Sequence, residues 1–229
     1  MSSIVVLEDA ELVPVLELEP STFATQTRSL PSGSCRDVPE ERYRYWSESI
    51  ADSGLAGVMP VQRGLSHVAT SELADPPRLR RLLEVIFRER SETQSLPDPD
   101  NMLPLNGGLA LRNQSQDVLI VPGCCADLGN VVCWREVVDC GQAEWQMVWI
   151  GHPWLSVMFQ APRLIISEPH ESESPTARWA VSPDQLERAL VAAEAELQRF
   201  AGRIASVLPS LGYSGDSKLM GQKLAGVGR

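Results

Sequence analysis

The sequence predicts an α+β fold, in which helices pack on one face of a mainly antiparallel sheet and a long C-terminal helix covers it. After one or two short strands in residues 1–20 come two helical segments, then several short strand-like segments from residue 103 onward, and finally the longest helix. Turns as short as GHPW and APR join the later strands, and connections of this length favour antiparallel neighbours. Helices and strands that occur in separate runs are typical of α+β proteins.

The helices are predicted from capping residues that precede apolar stripes. Asp37 and Asp75 are predicted to cap helices over residues 37–50 and 75–90, each with apolar residues three or four positions apart. Ser182 begins the most regular helix. Its apolar stripe continues for about 24 residues, or roughly 36 Å at 1.5 Å per residue, which is long enough to cross a whole sheet.

The strands are predicted from short β-branched or alternating segments. Residues 107–111 and 118–121 flank the polar sequence NQSQD, which predicts a hairpin. Asn130 is expected to cap a short helix, and the polar stretches 91–101 and 168–178 are expected to be loops. The other predicted strands cover residues 4–7, 13–18, 144–150, 155–160 and 163–167.

Composition limits the domain organisation and the class of partner. We expect a single α+β domain over residues 1–211 and a flexible C-terminal tail over 212–229, because the tail has few apolar residues to pack. A net charge of −10 argues against nucleic-acid and anionic-membrane binding, and it is compatible either with solubility alone or with a basic protein partner. No apolar run reaches the roughly 18 residues of a membrane span. The N-terminus lacks the basic region of a secretory signal, so we expect a cytoplasmic protein with reduced thiols.

The segment 122–159 has the highest concentration of potentially reactive and aromatic side chains, with four of the five cysteines and four of the six tryptophans. Cys124, Cys125 and His152, with Cys133 and Cys140 nearby in sequence, are enough soft ligands for a zinc site. With Asp127, the first three also suggest a thiol nucleophile and its base. These are the alternative hypotheses of a zinc- or cysteine-dependent enzyme.

A buried structural core is the interpretation that the spacing favours. The two cysteines are adjacent, whereas compact zinc sites usually pair ligands as Cys-x₂₋₄-Cys, and no sequence signature of a cysteine hydrolase flanks them. Cysteine and tryptophan are also frequent in cores without any ligand. We therefore expect packed thiols and indole rings in this segment, no catalytic residue, no bound metal and no cofactor.

An acidic stretch is the candidate surface for a partner. Glu168, Glu171 and Glu173 alternate with His170 and two serines in a segment predicted to be a loop. A solvated turn is the simplest interpretation. The same negative charges are also suited to a basic groove on another protein, where they would mainly raise the association rate and the selectivity.

The sequence PGCCADLGNVVCWREV carries a resemblance to a known family. A strand that ends in proline, the pair Cys124 and Cys125, then Asp127 and Trp134, is similar to bacterial immunity proteins of the SUKH type, over residues 106–138. The resemblance implies an α+β fold and a small intracellular protein that acts by binding a toxin domain. It also implies that these four residues determine the fold and take no part in catalysis.

The leading expectation is therefore an immunity-type protein, which binds and sterically neutralises a basic toxin or effector domain. An enzyme that uses Cys124, Cys125 and His152 is the first alternative. A non-catalytic subunit of a larger assembly is the second.

Overall fold

The computed structural model describes residues 4–90, 102–113, 115, 118–139 and 141–227. The loop predicted over 91–101, Cys140 and three residues of the NQSQD turn lie outside the described residues. Two compact units make up the chain. Unit 1 contains Met1–Pro14 and Asn106–Glu196, and unit 2 contains Val15–Leu105 and Leu197–Arg229. The single domain predicted over 1–211 stays a prediction.

The fold class is confirmed as α+β, with a long helix near the C-terminus. The strands are β1 (Val5–Val6), β2 (Glu11–Glu17), β3 (His67–Ala69), β4 (Gly107–Asn113), β5 (Val118–Ile120), β6 (Gln146–Val148), β7 (Leu155–Gln160), β8 (Arg163–Ser167) and β9 (Ala177–Val181). The helices are α1 (Pro20–Phe23), α2 (Pro39–Asp52), α3 (Pro76–Arg90), α4 (Val131–Val138), α5 (Pro183–Val207) and α6 (Ser217–Leu224).

Unit 1 is built on a five-stranded sheet with the order β1-β9-β8-β7-β6. All neighbours are antiparallel except β1 and β9, which are parallel. The first half of α5 buries Leu186, Leu190 and Ala193, as the apolar stripe predicted. The hairpin of β4 and β5 precedes α4, and the loops that follow β5 and β6 carry the candidate site.

Unit 2 is mainly helical and contains α1, α2, α3, α6 and the second half of α5. Residues Val15–Glu17 of β2 pair antiparallel with β3. Trp46 on α2 is buried and donates its indole N–H to the carbonyl oxygen of Leu18 at 2.9 Å. The guanidinium of Arg28 forms two hydrogen bonds with Asp52 and holds the pKa of that carboxyl well below its usual range.

Helix α6 lies in the segment predicted as a tail. Asp216 caps it by accepting a hydrogen bond from the backbone N–H of Leu219 at 3.0 Å. Met220 and Leu224 are completely buried, and a Cβ on Gly221 would lie 2.4 Å from the carbonyl oxygen of Ala201. The expectation that this segment has little to pack is wrong for α6, because a glycine allows close approach to α5. The flexibility of 212–229 stays a prediction.

Two of the expected helix caps are confirmed and two are wrong. Asp75 and Ser182 accept hydrogen bonds from the backbone N–H groups three residues later, as expected of N-caps. Asp37 instead accepts from the N–H and hydroxyl of Ser34, and α2 begins without a side-chain cap. Asn130 has helical backbone angles and makes no cap bond. Among the described residues, no helix is both long enough and apolar enough to cross a membrane.

Candidate functional site

Two loops of unit 1 meet and bring three candidate ligands together. One follows β5 and contains Cys124 and Cys125, and the other lies between β6 and β7 and contains His152. The backbone N–H of Gly123 donates to the carbonyl oxygen of Ile150 at 2.7 Å, and that of His152 donates to the carbonyl oxygen of Cys124 at 3.1 Å. An antiparallel bridge therefore pairs Cys124 with His152.

Glycines make this close approach possible. A Cβ on Gly123 would lie 2.2 Å from the carbonyl oxygen of His152. A Cβ on Gly151 would lie 2.5 Å from the carbonyl oxygen of Cys124, and the φ angle of Gly151 is +92°. Any side chain at either position would push the loops apart, so these two glycines fix the position of the histidine beside the cysteines.

Cys125 has a left-handed backbone, with φ of 66°, and it is the one non-glycine residue with positive φ in the part of the chain that the structure describes. Successive side chains along an extended strand point to opposite faces. Two adjacent thiols can therefore share one site only where the backbone turns, and the left-handed residue provides that turn. Such a conformation costs a non-glycine residue about 1–2 kcal/mol. Backbone strain of this kind is concentrated at functional sites.

The result is a cluster of two thiols and one imidazole, here called the thiol–imidazole cluster: Cys124, Cys125 and His152. One ligand atom from each lies within 4.8 Å of the others, and all three residues are exposed. In a tetrahedral zinc site with Zn–S near 2.3 Å and Zn–N near 2.0 Å, ligand atoms are roughly 3.5–3.8 Å apart. Small side-chain rotations would close the remaining gap. Two thiolates and a neutral imidazole would together balance the charge of a divalent ion.

An aromatic row extends from the cluster along the surface of unit 1. Its members are Trp149, His152, Trp154 and His170, with centroid distances between neighbours of 4.7 Å, 5.7 Å and 5.9 Å in that order. The imidazole of His152 stands edge-on to Trp149, at an interplanar angle of 90°. The two indole rings therefore restrict the orientation of the ligand ring and reduce its exposure to water on one side.

The far end of the aromatic row is held by hydrogen bonds. Nδ1 of His170 lies 2.8 Å from the carbonyl oxygen of Ser172, which can only accept, so this nitrogen carries a proton. Nε2 lies 2.9 Å from the hydroxyl of Ser156. Both ring nitrogens are engaged, so His170 supports Trp154 and is not a further member of the cluster.

The rest of the motif is structural. Asp127 accepts a hydrogen bond from the backbone N–H of Gly129 at 2.7 Å and caps the turn before α4. Trp134 on α4 is 1% exposed. Cys133 on the same helix is half-buried, and burial, followed by the charge of Glu136, raises the pKa of its thiol.

The acidic stretch does not join the cluster. Glu168, Glu171 and Glu173 are all exposed, and Glu168 lies 3.5 Å from Nε of Arg178. The predicted loop is shorter than expected at its C-terminal end, because β9 begins at Ala177.

The expectation of a packed core in 122–159 is wrong for the two adjacent cysteines and for two of the tryptophans. Cys124 and Cys125 are exposed, and the indole rings of Trp149 and Trp154 are only half-buried. The spacing rule did not predict this convergence because it expects two to four residues between paired ligands, whereas here the backbone turns at Cys125 itself. Gly123 and Gly151, which flank the candidate ligands, were the available sequence signal.

Comparisons with known proteins found no matching protein family, no matching curated protein and no matching solved structure. The resemblance to SUKH-type immunity proteins therefore stays a prediction.

Proposed function

We propose that this protein binds a thiophilic metal ion, with Zn²⁺ as the best fit, through Cys124, Cys125 and His152. The observation that carries the proposal is the convergence of two thiol sulfurs and one imidazole nitrogen within 4.8 Å of one another. Thiolate and imidazole are the ligands that zinc prefers in proteins. The set matches the first alternative that the sequence left open, and it replaces the expectation of no metal.

The coordination would be open rather than closed. Structural zinc sites use four protein ligands, whereas catalytic sites use three and leave one position for water or substrate. Within the described residues, the cluster supplies three ligands, and each of them faces solvent. An ion held this way would be free to bind water or an external group and to act on it as a Lewis acid. A zinc-dependent reaction is the function that this arrangement supports best.

Metal titration tests the proposal directly. The reduced, metal-free protein should bind Zn²⁺ in equimolar amount, and Co²⁺ in its place should give the absorption bands of thiolate-to-metal charge transfer. Changing Cys124→Ser, Cys125→Ser or His152→Ala should each weaken binding by more than the about 10- to 100-fold typical of residues behind the ligands. Binding should also weaken with acidification, because protons compete for all three ligands.

The matched controls are the two other described cysteines. Cys133 is half-buried on α4 and Cys35 is half-buried in unit 2, and neither belongs to the cluster. The variants Cys133→Ser and Cys35→Ser should bind zinc like the natural chain. The proposal fails if the protein takes up no zinc, or if these controls lose as much affinity as the cluster variants.

Binding of a basic toxin domain is the second candidate function. The observation that favours it is the exposure of Glu168, Glu171 and Glu173 in a chain of net charge −10. Co-expression with the product of the neighbouring gene should rescue growth if that product is toxic. The change Glu171→Lys with Glu173→Lys should weaken the rescue more than Glu187→Lys, on an exposed position of α5, does. A harmless neighbouring product, or equal losses in both variants, would exclude this candidate.

A further inference from the structure

We infer that Cys124 and Cys125 form a site of reversible oxidation, at which hydrogen peroxide converts the thiol pair into a disulfide and thereby releases the metal ion. The release step rests on the proposed metal binding. The oxidation step rests on the thiols alone.

The exposure of the two thiols makes them the reactive ones. Oxidation of cysteine follows thiolate character and solvent access. Cys124 and Cys125 are both exposed, whereas Cys35 and Cys133 are half-buried. Burial also raises the pKa of the Cys133 thiol, which lowers its thiolate fraction. Peroxide should therefore select the pair over the other described cysteines.

The geometry of adjacent residues brings the two sulfurs close together and strains the disulfide that would join them, so that the bond is reduced easily. The left-handed backbone at Cys125 already places both sulfurs on one side, within 4.8 Å of each other. Adjacent Cα atoms across a trans peptide are about 3.8 Å apart, shorter than the roughly 4.4–6.8 Å that disulfides prefer. Such a bond is strained, and strained exposed disulfides are the labile, regulatory kind. The site would therefore return to the dithiol when a reductant is present.

The reaction balances with peroxide as the only oxidant. One thiolate attacks a peroxide oxygen, the O–O bond breaks, and a sulfenic acid and a hydroxide ion form. The neighbouring thiolate then attacks the sulfenic sulfur, the S–S bond forms, and the S–O bond breaks to release a second hydroxide. Two protons from solvent convert both hydroxides to water. The thiols have lost two electrons and the peroxide has gained two, and a metal ion keeps only His152 as a ligand.

The test uses the zinc-loaded protein and hydrogen peroxide in equimolar amount. A chromophoric chelator should detect release of one zinc per chain, and the peptide that contains residues 124 and 125 should lose the mass of two hydrogen atoms. Dithiothreitol should restore both the mass and zinc binding. Cys124→Ser and Cys125→Ser should each prevent formation of the disulfide, and Cys133→Ser should leave it unchanged.

The outcomes separate this inference from the proposed function. Zinc that stays bound after peroxide, or a cysteine that gains two oxygen atoms in place of the mass loss, would overturn the inference and leave metal binding intact. Dimers linked through either cysteine would overturn it in the same way. An untreated protein that holds no zinc would overturn the proposed function and, with it, the release step. Oxidation of the metal-free protein, followed by mass, then shows whether the disulfide forms without a metal.

Discussion

Helix α4 and the two loops that carry the thiol–imidazole cluster both contain cysteine and tryptophan, but α4 buries these side chains more than the loops do. On α4, Trp134 is buried and Cys133 is half-buried, with a raised thiol pKa. In the loops, Cys124 and Cys125 are exposed and Trp154 is half-buried. The two regions are separated by fewer than ten residues at their closest in the sequence.

The difference teaches that backbone geometry, rather than residue type, decides what a cysteine does here. The apolar stripe of helix α4 faces the interior, so Trp134 is buried and Cys133 is half-buried. The loops are held by Gly123 and Gly151, and the left-handed residue at Cys125 turns two thiols to the same exposed side. The variants below test this contrast.

The largest effect is expected at Trp134. Replacing it by alanine removes a completely packed indole, and large-to-small changes of this kind cost about 3–5 kcal/mol in the free energy of unfolding. Trp154→Ala, in the loops, should cost less than half of that because its ring is half-buried. Urea unfolding of the metal-free variants would measure both.

A matched control for the first variant is Trp134→Phe. The indole N–H of Trp134 is buried without a hydrogen-bond acceptor among the described residues. Phenylalanine removes this unpaired donor and keeps most of the side-chain volume. The loss should be much smaller than for alanine. Equal losses at 134 and 154 would contradict the contrast between helix and loops.

The second effect is expected at Gly151. An added Cβ would lie 2.5 Å from two backbone oxygens, at a φ angle that alanine rarely adopts, so Gly151→Ala should displace His152 from the cysteines. Zinc affinity should fall by about 10- to 100-fold, as for other residues that position ligands. Gly141→Ala is the control, since a Cβ there has no neighbour within 4 Å. Unchanged zinc affinity in Gly151→Ala would show that the loop contact does not position the ligand.

Much of the fold could be predicted from the sequence, because capping residues and long apolar stripes report local structure. Asp75 and Ser182 begin helices where the pattern places them. Asp37 shows the limit of the rule, since its carboxylate bonds to Ser34 in a turn before the helix, and the same residue type serves both roles. Helix α6 was missed because the segment is short and rich in glycine, and the close approach to α5 that Gly221 allows cannot be read from an apolar stripe.

The candidate site could be predicted only in part. Its three residues were named from composition, but their convergence depends on contacts between loops that lie 28 residues apart. The turn at Cys125 depends on one left-handed backbone conformation, and cysteine has no marked preference for that conformation from which it could be predicted. Sequence rules for metal sites describe regular spacing, and this site departs from it.

The third effect is a difference in thiol reactivity. Iodoacetamide should label Cys124 and Cys125 of the metal-free protein several-fold faster than Cys133. Because the pKa of the Cys133 thiol is raised, its thiolate fraction is reduced at neutral pH, and its labelling rate should keep rising at a pH where the rate of an ordinary thiol has levelled off. Peptide mass spectrometry across a pH series would measure the rates. Equal rates at neutral pH would show that α4 does not protect its cysteine.

The smallest effect is on the free energy of unfolding. The difference between the glycine and the alanine variant should have opposite signs at positions 125 and 133. At Cys125, the left-handed backbone penalises alanine by about 1–2 kcal/mol, and the extra entropy of an unfolded glycine offsets about 0.4–1 kcal/mol. Cys125→Gly should therefore be more stable than Cys125→Ala by roughly 0.5–1 kcal/mol. At Cys133, inside α4, Cys133→Gly should be less stable than Cys133→Ala by about 1 kcal/mol, since glycine is a poor helix former. Urea unfolding of the four metal-free variants gives both differences. The same sign at both positions would mean that Cys125 does not hold the turn on which the thiol–imidazole cluster depends.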